Sequence, residues 1–183
     1  MINKKITKFT DIPRLTKTGH YQVDIPLNYL DKYIKEMQED MNLQLTPIFQ
    51  RGHVWTKEQQ IAYIEFFLRG GKSSRIVYLN CPSWHRIKAP TEYNDFVCVD
   101  GLQRLTALLG FIHNEIPAFG SYYEDFTDKP HILDHSLSVN INDLQTEEEV
   151  LIWYIEMNTG GTPHTKEEID KVRKLLTELE TTK

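Results

Sequence analysis

The run Phe96-Val97-Cys98-Val99 meets Asp100-Gly101 and passes directly into Leu102–His113, and this junction constrains the fold more than any other part of the chain. Four apolar residues in succession suit a short buried strand. The segment that follows is apolar on most faces, with Leu102, Leu105, Ala107, Leu108, Leu109, Phe111 and Ile112, as a helix enclosed by its domain would be. A buried strand turning straight into a buried helix needs other layers to cover both.

Those layers are legible elsewhere. Leu27, Leu30, Ile34, Met37 and Met41 recur at helical spacing behind Pro26, which suits a first turn. Thr56-Lys-Glu-Gln59 has the spacing of a capping box, and Ile61, Ile64 and Leu68 extend a helix to the stop at Gly70-Gly71. Between these helices, residues 45–55 read as an extended loop punctuated by Pro47 and Gly52. Residues 75–81 and the alternating Leu137–Ile141 read as strands, 82–95 as a connecting loop, and 117–135 as a long surface excursion. Glu147–Met157 is helical, and Thr165-Lys-Glu-Glu168 caps a last, highly charged helix. The expected class is α+β, a small mixed sheet flanked by helices. Residues 1–24 are set apart as an N-terminal arm or edge strand, with one domain over 25–183 that includes the C-terminal helix.

Composition narrows the function. A chain of 183 residues with 40% hydrophobic and 26% charged content fits one ordinary domain with one core. The net charge of −5 argues against coating nucleic acid by bulk positive charge, while leaving room for a local basic site. Cys81 and Cys98 match neither a disulfide framework nor a metal-binding pair, and each reads as a small buried strand residue. No apolar stretch is long enough to span a bilayer, so no membrane partner is expected and a cytoplasmic location is the default expectation.

At the Asp100-Gly101 turn the first backbone N–H groups of the helix have no intrahelical partner, and an anion placed there gains both those donors and the helix dipole. Gly101 lets a ligand approach the backbone. Gln103 and Arg104 fall in the first turn, where an arginine is electrostatically disfavoured unless an anion compensates it. The same residues admit a purely structural reading, with Asp100 capping the helix and Arg104 pairing with a surface carboxylate, and the pattern alone does not choose between the two. A second cluster, Gln50-Arg51-Gly52-His53-Val54-Trp55, brings an amide, a guanidinium, an imidazole and an indole together. Arg51 suits a bidentate phosphate contact or bonds to carbonyls, and Trp55 reads as the core anchor of its loop. His131 and His135 lack the glutamate of a zinc-protease motif and read as loop residues. Tyr122-Tyr123-Glu124-Asp125-Phe126 reads as a partner surface or loop packing, because its carboxylates would repel phosphates beside stacked bases.

Taken together, Phe49-Gln50-Arg51-Gly52-His53-Val54-Trp55-Thr56 followed by Val99-Asp100-Gly101-Leu102-Gln103-Arg104-Leu105-Thr106-Ala107 resembles the N-terminal domain family of GmrSD-type modification-dependent restriction endonucleases. That family carries an xQRxxxW segment and then a DGQQR motif. Met157–Pro163 resembles its later Asn-x-Gly-Gly-Thr segment, so the likeness runs from about Ile25 to Ile169. The resemblance implies a ParB/sulfiredoxin-like fold in which a strand-to-helix loop holds nucleotide phosphates. It implies Asp100, Gly101, Gln103 and Arg104 as the nucleotide loop, Gln50 and Arg51 facing it, and Asn158 and Thr162 at its rim. Catalytic roles would fall to Asp100, Gln103 and Arg104, with a nucleoside triphosphate as ligand and magnesium brought by it, Asp100 capping the loop or holding the metal.

The sequence departs from the family at Leu102, which stands where the first glutamine of DGQQR is expected. Family members continue into a nuclease domain with an HNH-like histidine arrangement, and nothing after Thr165 resembles it, so little or no DNA cleavage by this chain alone is expected. The activity implied is nucleotide binding, with triphosphate hydrolysis open, and partners would be DNA or a separate nuclease or defence protein. Two other classes compete: a stand-alone metal-dependent nuclease using Asp100 with a second carboxylate, and a non-catalytic module that binds a restriction complex.

Overall fold

A computed structural model of the chain describes residues 6–9, 12, 15, 21–50, 52, 54–84, 92–159 and 166–181. Strand β1 (Tyr21–Pro26) leads into helix α1 (Leu27–Met41), and helix α2 (Lys57–Leu68) into strand β2 (Ile76–Asn80). Strand β3 (Val97–Asp100) feeds helix α3 (Leu102–Ile112), and strand β4 (Ser136–Asn142) precedes helices α4 (Glu147–Thr159) and α5 (Lys166–Thr181). The four strands form one mixed sheet in the order β1-β4-β2-β3. β4 pairs antiparallel with β1 and parallel with β2, and β2 pairs antiparallel with β3. This is the expected α+β arrangement of a small mixed sheet flanked by helices.

Local sequence explains the element ends. Thr56 accepts from the Gln59 backbone N–H at 3.3 Å while the Gln59 side chain accepts from Thr56 N–H at 2.9 Å, a reciprocal capping box that fixes the start of α2. Pro26 sits one place earlier than its spacing suggests: it ends β1 and serves as the N-cap of α1, where its lack of an N–H costs nothing. Asn42 closes α1 in the left-handed conformation, a role asparagine tolerates.

Strand alternation sorts the core into two clusters. Val77, Leu79, Cys98, Leu137, Val139 and Ile141 face α1, α2 and α3, while Val97 and Val99 face Phe49 and the buried side chains of α4, among them Trp153 and Tyr154. The sheet is therefore covered on both faces, which is why Phe96–Val99 is apolar without alternation. Polar side chains on the second face are tied down, Asn80 donating to Leu144 O at 3.1 Å and accepting from Leu144 N–H at 2.8 Å. Both cysteines are free and buried, and burial pushes the Cys98 thiol up to about 12. No helix among the described residues is long and apolar enough to cross a membrane.

Leu108 is fully buried and Leu133 is 84% exposed, so the two leucines separate core from surface. Leu108→Ala is expected to lower the unfolding free energy by about 2–5 kcal/mol, and Leu133→Ala to change it by less than about 0.5 kcal/mol, both read from urea denaturation midpoints.

Candidate functional site

The site is built where β3 ends and α3 begins. Asp100 is the last residue of β3, and Gly101 is the N-cap of α3 with φ 101° and ψ 4°. That left-handed conformation is one reason the position is glycine. The other is contact: a Cβ there would lie 2.9 Å from both Cα and Cγ2 of Val77 on β2. The close approach that requires glycine is thus between helix start and sheet, where the sequence suggests an approach by ligand.

Asp100 does not cap α3, since no side chain caps this helix. Its Oδ2 instead accepts from Nη2 of Arg104 at 2.6 Å, one turn along. The carboxylate stands just ahead of the positive helix end and next to a first-turn cation, so it supplies the compensation that Arg104 requires there. The Arg104 side chain is 19% exposed, and its Nε is buried with no hydrogen-bond partner among the described residues. Its charge is felt at Tyr63 and Cys98, where it opposes the upward shift that burial imposes on each. Tyr63 is pushed up to about 12 and donates to Ser74 O at 3.0 Å, so it remains a neutral wall beside the guanidinium.

Gln103 joins the two sequence motifs. Its Oε1 accepts from the backbone N–H groups of Val54 at 2.9 Å and Trp55 at 3.1 Å, and its Nε2 donates to Gly52 O at 3.1 Å. Both acceptor positions and one of two donor hydrogens are committed to the loop. Trp55 then anchors that loop by packing on Tyr63, ring centroids 5.3 Å apart.

Gln50 lies behind β3. Its Nε2 is shared between Cys98 O at 3.4 Å and Val99 O at 3.3 Å, and its Oε1 accepts from the hydroxyl of Tyr154 at 3.4 Å. Gln44 adds backbone bonds to Phe96 and Cys98, so the loop is bound to β3 from two directions. Asn158 Nδ2 donates to Tyr154 O at 2.7 Å, one turn back on its own helix. Arg51, His53 and Thr162 lie outside the described residues. Leu102 is buried in the core cluster that α3 shares with α1 and α2. Asp100 is the carboxylate at the turn, and the described residues include no group of three or more His, Cys, Asp and Glu side chains placed to hold a metal ion.

The structure thus brings together Gln50, Asp100, Gly101, Gln103 and Arg104. Sequence reasoning missed Val77, Tyr63 and Tyr154, which back the turn, the arginine and Gln50. A signal existed only for Tyr154, a buried-type aromatic in a helix otherwise rich in carboxylates.

A family model described as GmrSD restriction endonuclease, N-terminal domain, matches residues 30–136. The chain belongs to this family. The match spans more than half of the chain and contains both motifs, whereas Tyr154 and the segment 157–163 lie beyond it. No curated protein and no solved structure matches the chain. Family membership makes this a domain of restriction systems.

Gly101 and Gln103 make separable predictions. Gly101→Ala, strained by its φ and by Val77, is expected to destabilise the fold by more than about 1 kcal/mol in chemical denaturation. Gln103→Ala is expected to keep the fold while the Val54 and Trp55 amides exchange faster in hydrogen–deuterium exchange, because two partly exposed N–H groups lose an acceptor worth about 0.5–1.5 kcal/mol per bond.

Proposed function

We propose that this domain binds a nucleoside triphosphate by its phosphates at the start of α3, and that occupancy is passed to a separate nuclease or defence protein. The observation that carries this reading is Arg104: a first-turn cation with a buried Nε unpartnered among the described residues, neutralised by one carboxylate beside an uncapped helix start. A phosphate at that start would gain backbone donors and the helix dipole, and would offer the guanidinium a bidentate partner that Asp100 does not. Arg51, by its place in the first motif, is expected to add a second cation. On this reading the domain is ParB/sulfiredoxin-like.

The other residues take roles that their geometry supports. Gly101 brings the helix start close to the sheet. Gln103 and Gln50 hold the loop that carries Arg51 against the turn. Asp100, once its arginine engages phosphate, is free to hold the magnesium that a triphosphate brings, and one carboxylate plus phosphate oxygens is a usual set for that ion. The ion would neutralise phosphate charge. Because Gln103 is committed to the loop, hydrolysis is expected to be slow.

The test is a thermal-shift panel of ATP, GTP, CTP and UTP with and without magnesium, on wild type and Arg104→Ala. At 100 times its dissociation constant a bound triphosphate stabilises the fold by about 2.7 kcal/mol. Arg104→Ala is expected to remain folded and to lose roughly ten- to a hundredfold in affinity, the range for one charge-assisted contact. Stabilisation by no triphosphate, or equal affinity in the folded variant, would overturn the reading.

A further inference from the structure

A cavity of about 620 Å³ opens at the far end of α3 from the motif turn. It is formed by the start of α1, the ends of α2 and α3, and the excursion over residues 117–135. Its volume falls in the range of about 300–1,000 Å³ common to small-molecule sites. Nothing in the motif chemistry reaches it.

The lining is aromatic. Tyr123 and Phe126 stand edge-on to Phe111, with ring centroids 5.4 and 5.9 Å away at interplanar angles of 85° and 82°. Phe119 completes the set, and its backbone is unusual: φ is 52°, in the left-handed region that a bulky residue rarely adopts. It is held there by a 2.9 Å hydrogen bond from its N–H to Oε1 of Glu65, and by paired backbone bonds between Ala118 and Ser121. The Arg69 guanidinium covers its ring at 5.2 Å. Core burial does not account for this strain, because Phe119 is 47% exposed. Phe119 and Gly120, with φ 52° and 80°, are the two left-handed corners of the tight turn closed by Ala118 and Ser121, and this turn sets Phe119 at the cavity.

The polar lining decides the sign of the ligand. Glu124, Asp128 and Lys129 line the cavity, giving one more carboxylate than ammonium, and the Arg69 guanidinium over Phe119 is matched by Glu65 at the Phe119 N–H. His135 contributes no free nitrogen, since Nδ1 accepts from His131 N–H at 2.9 Å and Nε2 meets Leu68 O at 2.9 Å. Aromatic ring faces beside a surplus of carboxylate favour positive charge on an apolar body, whereas ring edges accommodate its apolar part. We propose that this cavity binds a small organic cation of that kind, an aryl- or alkylammonium compound.

The test uses phenyltrimethylammonium and its neutral isostere tert-butylbenzene, titrated into the full chain by ligand-observed NMR. The cation is expected to bind and the isostere to bind more weakly. Phe126→Ala should weaken the cation roughly five- to thirtyfold, the range for one partly desolvated cation–aromatic contact. Lys129→Glu, at an exposed position whose change leaves the core intact, should tighten it, and Arg104→Ala should leave it unchanged. No binding of the cation at millimolar concentration, an isostere that binds as tightly, or indifference to Lys129→Glu would each overturn the proposal.

Discussion

Every feature of the site depends on one close approach, that of the Gly101 backbone to Val77. Because no Cβ intervenes, the start of α3 lies against β2, and the helix can pack its apolar side onto the sheet within one residue of leaving β3. This leaves Asp100 and Arg104 on the same edge of the turn, near enough to pair. It also sets Gln103 where it reaches the backbone of residues 52–55. A side chain at position 101 would move the helix start away from the sheet, and the polar contacts of all three residues would shift with it.

Coverage of the sheet on both faces adds a second constraint. With α1 to α3 on one side and α4 with Phe49 over β2 and β3 on the other, the faces of these two strands are covered, and the polar groups near them gather at strand ends and the loops over them. The described residues between α1 and α2 are pinned at several points: Gln44 to β3, Gln50 to β3 and Tyr154, and Gly52, Val54 and Trp55 by Gln103. Most of these bonds end on backbone atoms. Pinning of that kind fixes a loop's position while leaving its remaining side chains free to vary.

That distinction explains what was legible in the sequence. Helix α2 was readable to its first residue because a capping box is a pattern of side chains, and β4 was readable because its apolar residues alternate. The turn at Asp100-Gly101 was located by the change from continuous apolar strand to enclosed helix. The roles within it were not, because Gln103 bonds to backbone groups some distance along the chain, which carry no residue identity, and because the need for glycine comes from Val77 on another strand. The parallel pairing of β2 with β4 was equally hidden, since strand order depends on which edges the helices leave open. Residues 117–135, aperiodic in sequence, proved to be the wall of an aromatic cavity built on Phe111.

The pairing of Asp100 with Arg104 bears on how strongly the proposed site can hold a phosphate. An arginine in the first turn of a helix opposes the dipole, and the chain compensates it internally with the preceding carboxylate. A phosphate arriving at that turn therefore does not meet a bare cation; it must compete for a guanidinium that already has a charge-assisted partner. The net gain is the difference between two such contacts, together with bonds to the Nε, unpartnered among the described residues, and to the helix donors. On the proposed reading, affinity at this turn is moderate, weakens with added salt because the pair is partly exposed, and rises when a divalent ion gives the released Asp100 a partner of its own. The exchange also gives occupancy a structural consequence. Moving the guanidinium off Asp100 changes the charge at the end of β3, directly beside the backbone of the loop that Gln103 and Gln50 hold in place, and that loop is the part of the site best placed to report to a partner.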